Sequence, residues 1–140
     1  MSTLDIRLLG AGDTAITHLD SGTTIRSSKS PAYGGSGESF SSTDLLAAAL
    51  GSCIATNVEP VAERHGVTLD RIRVTVTKQL SKEPKRLDAL DVRISVEGDT
   101  AGDILLRFER AAHHCLVHRS LAPHVAVGIT IAAAAAEGAR

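Results

Sequence analysis

Leu45-Leu46-Ala47-Ala48-Ala49-Leu50-Gly51-Ser52-Cys53-Ile54-Ala55 is the stretch on which the fold turns. No charged residue interrupts it, and Ser41-Ser42-Thr43-Asp44 ahead of it supplies an N-cap and a first-turn carboxylate. That combination predicts a helix. Pro60 is expected to kink it or end its first half, and His65-Gly66 to close it. A helix that is apolar all round has to be covered all round, and this requirement governs the architecture.

Upstream, Leu4, Ile6 and Leu8 alternate with Asp5 and Arg7, the period of a strand. Turns at Gly10-Ala11-Gly12-Asp13 and Asp20-Ser21-Gly22 separate two further short strands, Ile16 to Leu19 and Thr23 to Arg26. Ser27 to Ser41, with Pro31, Gly34, Gly35 and Gly37, reads as a long loop, and Tyr33-Gly34-Gly35-Ser36-Gly37 within it as a flexible connection. Downstream, Ile72, Val74 and Val76 alternate with polar residues, as do Val92, Ile94 and Val96, giving a half-buried hairpin joined by the charged Ser81 to Arg86 loop. A second helix follows, with Thr100 as N-cap and Ile104, Phe108, Ala111 and Cys115 on one stripe. After a turn at Ser120 to Pro123, Val125, Val127, Ile129 and Ile131 form a last strand.

This order predicts one α+β domain over residues 1–140 with mostly antiparallel sheet. Sheets with one wet face cannot enclose the Leu45–Ala55 helix within one copy. A homodimer is therefore expected, its central helices packed together and its Ala and Gly residues allowing close approach. The alternative is that the second helix covers the first.

Composition narrows the function. Fifteen Lys and Arg against 16 Asp and Glu leave a net charge of −1, no footprint for nucleic acid or an anionic membrane. Tyr33, Phe40 and Phe108 are the three aromatics, a poor set for stacking bases, sugars or flavins. The start M-S-T-L-D-I-R has neither a basic leader nor an apolar segment. The apolar window Leu45–Ala55 is about half the length of a membrane span, and the Ala132–Ala136 run is shorter. A soluble, cytoplasmic protein is expected.

The chemistry then rests on Cys53 and Cys115, 62 positions apart, too few for a disulfide scaffold and too distant for a C-x-x-C motif. Inert core thiols are one reading. The other is that the two meet in the fold and cycle between dithiol and disulfide. That requires Cys53 as a thiolate and a nearby cation or donor, for which Arg26 is the candidate. His113-His114-Cys115-x-x-His118 raises a metal reading, weakened because adjacent histidines point to different helix faces. His18, His65 and His124 show no ligand spacing. Neither a Gly-x-Ser-x-Gly elbow nor a GxxxxGK[ST] loop is present.

Gly34-Gly35, the segment Asp44 to Cys53, and Cys115-Leu116-Val117-His118-Arg119-Ser120-Leu121 together resemble the osmotically inducible protein C and organic hydroperoxide resistance (OsmC/Ohr) family, in its general OsmC-like branch. The resemblance runs along nearly the whole chain. It implies an intertwined α+β homodimer with two active sites at the interface, reducing organic and inorganic hydroperoxides through thiols. Cys53 matches the peroxidatic cysteine and Cys115 the resolving one. No metal, flavin or other cofactor is implied, and an external dithiol, such as a dihydrolipoyl group, is the implied reductant. Thr43 stands where the hydroperoxide resistance branch has a glutamate, Asp44 matches the carboxylate of the broader branch, Arg26 matches the activating arginine, and Leu116 replaces the proline after the second cysteine. These departures leave a second class in view: a non-catalytic protein holding a small hydrophobic ligand in the apolar dimer cleft.

Overall fold

The computed structural model describes residues 1–98, 100 and 102–134, so Ala135 and Ala136 of the alanine run lie outside the described residues. The chain divides into two compact units, Met1–Leu46 and Ala47–Arg140.

In the first unit, strands β1 (Leu4–Gly10), β2 (Asp13–His18) and β3 (Thr24–Ser28) form an antiparallel sheet in that order. Ile6 pairs with Ile16 and Ile16 with Ile25, a row of β-branched side chains across one face. Leu4, Ile6, Leu8 and Ile25 of this unit are exposed. The long loop is more ordered than a flexible connection. A 3-10 turn at Pro31–Tyr33 ends on a left-handed Gly34. A Cβ on Gly35 would lie 1.7 Å from the Lys29 carbonyl oxygen, so only glycine fits that approach.

Helix α1 (Ser42–Arg64) starts on a reciprocal cap. The Asp44 N–H donates to Ser41 Oγ at 3.2 Å, and the Ser41 N–H and hydroxyl both donate to Asp44 Oδ2, at 2.9 and 2.7 Å. Of the two expectations for Pro60, an end to the first half of the helix is not seen: α1 runs through it to Arg64. By length and composition it could cross a membrane, and 39% of its most apolar window is buried inside the protein. Its face of Ala47, Leu50, Ile54, Val58 and Ala62 joins the core of the second unit.

That core lies against strands β4 (Ile72–Lys82), β5 (Lys85–Glu97) and β6 (Ala126–Ala134), with β5 central. Val76, Val92 and Ile129 form one cross-strand row, and Val74, Ile94 and Ile131 the next. The hairpin loop predicted at Ser81–Arg86 is shorter: both strands extend into it, leaving Glu83-Pro84 as the turn. β5 and β6 are parallel, which requires a crossover. Helices α2 (Ile104–His113) and α3 (Leu116–Ser120) supply it. Asp103, rather than Thr100, takes the N-cap position of α2. Phe108, Leu50 and Ile54 are fully buried, each contributing about 1.5–3 kcal/mol. Ala48, Ala49, Ser52 and Thr56 on the other side of α1 are exposed, so α2 does not cover that side.

Candidate active site

Gly51 sets the depth at which Cys53 is held. A Cβ there would come within 2.9 Å of Val76 Cγ2, so glycine lets α1 close onto β4. Two residues on, Cys53 packs against the core while keeping partial exposure. Cys115 is fully buried. The expected helix carrying both Phe108 and Cys115 in fact stops at His113, and His114 forms its C-cap. Cys115 then takes extended geometry as the N-cap of α3, its Sγ accepting the His118 N–H at 3.4 Å. A continuous α2 would not have offered free N–H groups at this point; the break creates them.

The two thiols meet. Cys115 lies within interacting range of Cys53, and the backbone N–H groups of Val117 and Leu116 lie close enough to act on it. The Cys115 thiol, followed by the Val117 N–H, holds the Cys53 pKa below the ordinary thiol range; burial opposes this, and the Leu116 N–H adds to the lowering. Burial pushes the Cys115 thiol up, and the neighbouring Cys53 pushes it further. The negative charge of the pair therefore belongs on Cys53 and the shared proton on Cys115. Both cysteines are free.

The backbone groups that lower Cys53 within the second unit are neutral donors from the chain that follows Cys115. The only trace of them in the sequence is the apolar stripe ending at Cys115 a few residues ahead of Pro123, which leaves room for one short extra helix. Arg26 lies in the first unit, where its guanidinium pairs with buried Asp13. That guanidinium holds the Asp13 carboxyl below the usual carboxylate range. Asp44, also in the first unit, bonds Ser41 at the helix cap. The His113 and His118 rings approach with centroids 6.1 Å apart and tilted by 40°. Among the described residues no group of three or more His, Cys, Asp or Glu is placed to hold a metal ion.

The profile of the OsmC family, described as OsmC-like protein, matches residues 35–130, well over half of the chain. No curated protein matches it. Among solved structures, the chain is 27% identical to a protein from Psychrobacter arcticus 273-4, provisionally described as an osmotic stress induced and detoxification response protein. The TM-score is 0.86, with 94% of this chain and 96% of that one covered. An OsmC like protein from Mycoplasma pneumoniae is 13% identical at a TM-score of 0.79, covering 95% and 96%. An organic hydroperoxide resistance protein OsmC from Legionella pneumophila is 16% identical at 0.71, covering 94% and 96%. The latter two likenesses bear on the fold.

Proposed function

Because the chain belongs to the OsmC-like protein family, we propose that it is a thiol-dependent peroxidase acting on organic and inorganic hydroperoxides. The interacting pair of Cys53 and Cys115, with charge favoured on Cys53, carries this reading. The name of the Legionella relative, an organic hydroperoxide resistance protein, supports the same theme.

In the proposed cycle the Cys53 thiolate attacks the outer oxygen of the hydroperoxide. The O–O bond breaks, the sulfur is oxidised to sulfenic acid, and the leaving alkoxide takes a proton to depart as alcohol. Cys115 then attacks the Cys53 sulfur, giving up its thiol proton as the S–O bond breaks, and a disulfide and one water form. An external dithiol restores both thiols by exchange, ending as its own disulfide. Backbone donors at Leu116 and Val117 serve the first step by holding the thiolate, and the proton retained on Cys115 serves the second. Arg26 and Asp44 are assigned structural parts, as the brace to Asp13 and the cap of α1. A reducing, cytoplasmic setting would keep both thiols ready.

A homodimer completes this reading. The exposed Ala48 and Ala49 of α1 and the exposed Leu4, Ile6, Leu8 and Ile25 of the first sheet are apolar surface of the kind that a partner copy covers. The activity is tested by supplying cumene hydroperoxide and dihydrolipoamide to the protein. Turnover that disappears in Cys53→Ser is expected, whereas peroxide loss at the same rate in that variant would contradict the assignment.

A further inference from the structure

A groove of about 430 Å³ runs between the C-terminal half of α1 and the exposed side of α2, within the size range of small-molecule sites. Its apolar part is Pro60, Val61 and Ala111, and its charged part is Arg64, Arg107 and Arg110. Among the described residues none that is acidic lines it. Helix C-termini favour cations, which accounts for Arg64 and Arg110 one at a time, since each stands in the last turn of its helix. It does not account for Arg107 in the first half of α2, where the dipole offers a cation nothing. Arg107 is instead held by Asp103, 2.8 Å from Nε and 2.6 Å from Nη2. Arg64 spends its Nε on the Pro60 carbonyl at 3.1 Å, leaving its terminal nitrogens as donors. Among the described residues Arg110 has no hydrogen-bond or ion-pair partner.

Three arginines, of which Arg107 is paired with Asp103, thus line a groove with an apolar wall, in a chain whose net charge is −1. We propose that this groove binds an aliphatic carboxylate, its head on Arg64 and Arg110 and its chain along Pro60, Val61 and Ala111. Planar guanidiniums suit a carboxylate because each offers paired donors matched to its two oxygens. Arg107, neutralised by Asp103, forms the back of that end, so the net positive charge is that of Arg64 and Arg110. From Asn57, which also lines the groove, to Arg64 the helix rises about 10 Å, room for a medium-length alkyl chain. The site requires neither thiol, so it stands apart from the peroxidase reading.

Octanoate and octanol, titrated calorimetrically into the full chain, test this. Octanoate should bind and octanol should not, and Cys53→Ser should bind octanoate like the wild type. Replacing Arg64 and Arg110 by Gln together should weaken binding by at least about tenfold, the loss of roughly one charge-assisted hydrogen bond. The paired Lys variant, which keeps the charges, should retain more affinity than the Gln variant. Equal binding of octanol, an unchanged affinity in the Gln variant, or no octanoate binding at millimolar concentration would overturn the proposal. None of those results would touch peroxide turnover, which fails or survives separately.

Discussion

Cys53 on α1 and Cys115 at the N-cap of α3 act on each other, and their acidities move in opposite directions, Cys53 down and Cys115 up. They stand 62 positions apart in the sequence, and the α1–sheet packing and the crossover between β5 and β6 bring them together.

Alkylation should therefore discriminate between the two. The midpoint of the pH profile for iodoacetamide reaction should lie below that of an ordinary thiol at Cys53 and above it at Cys115, each read by peptide mass spectrometry. The sign for stability follows. Cys53, with its pKa depressed on folding, adds stability above the unfolded-state value, and that contribution fades as pH falls through the folded-state value. The stability difference between wild type and Cys53→Ala should accordingly shrink on acidification across that window.

Leu116→Pro removes one N–H from the donors around Cys53 and leaves Val117 in place. Proline is favoured at the first position of a helix, so α3 should persist. The Cys53 alkylation midpoint should rise, and a profile identical to wild type would show that the Leu116 N–H does not hold the thiolate.

Gly51→Ala should destabilise the fold by about 1–3 kcal/mol, the usual range for overpacking. The added methyl would sit 2.9 Å from Val76 Cγ2, and valine has little rotamer freedom with which to yield. Urea unfolding measures this, and a midpoint equal to wild type would mean that α1 shifts freely on β4.

Asp13, depressed by its Arg26 partner, contributes stability above its unfolded-state pKa. That part is lost as pH falls through the lower folded-state value. Asp13→Asn should be less stable than wild type near neutrality, and the gap should narrow in the acid range below the ordinary carboxylate pKa of 3.8. Urea midpoints at several pH values read the gap directly.

Ile6 is 61% exposed, so Ile6→Glu costs a lone chain little. If partner copies cover this face, the substitution should shift sedimentation from dimer toward monomer with the helix content unchanged.

Much of this molecule is legible in the order of its residues. Alternation at Val92–Val96 marks a strand because Val92, Ile94 and Val96 face the core, and alternation at Leu4–Leu8 marks one although its apolar residues are exposed. Ser41 and Asp44 announce the start of α1 because a cap needs those side chains at that spacing. Three features escape such reading. Pro60 stays inside α1, because packing of Val58 and Ala62 into the core outweighs local helix propensity. The β4–β5 hairpin closes on two residues, although Lys82, Lys85 and Arg86 resemble a solvated loop. Two of the groups that lower Cys53 are backbone N–H groups, identical at every residue but proline, and they become available only because α2 stops at His113, ahead of Cys115. Side-chain chemistry named the cysteines, while the way one of them is made acidic depends on a helix break.

The most direct test of the central claim is disulfide mapping. Reduced protein is treated with one equivalent of cumene hydroperoxide per chain, quenched with an alkylating agent, and digested without reduction. The account predicts one intrachain Cys53–Cys115 disulfide and one equivalent of cumyl alcohol per chain. Both thiols recovered alkylated with the peroxide unconsumed, or Cys53 linked only between chains, would contradict it.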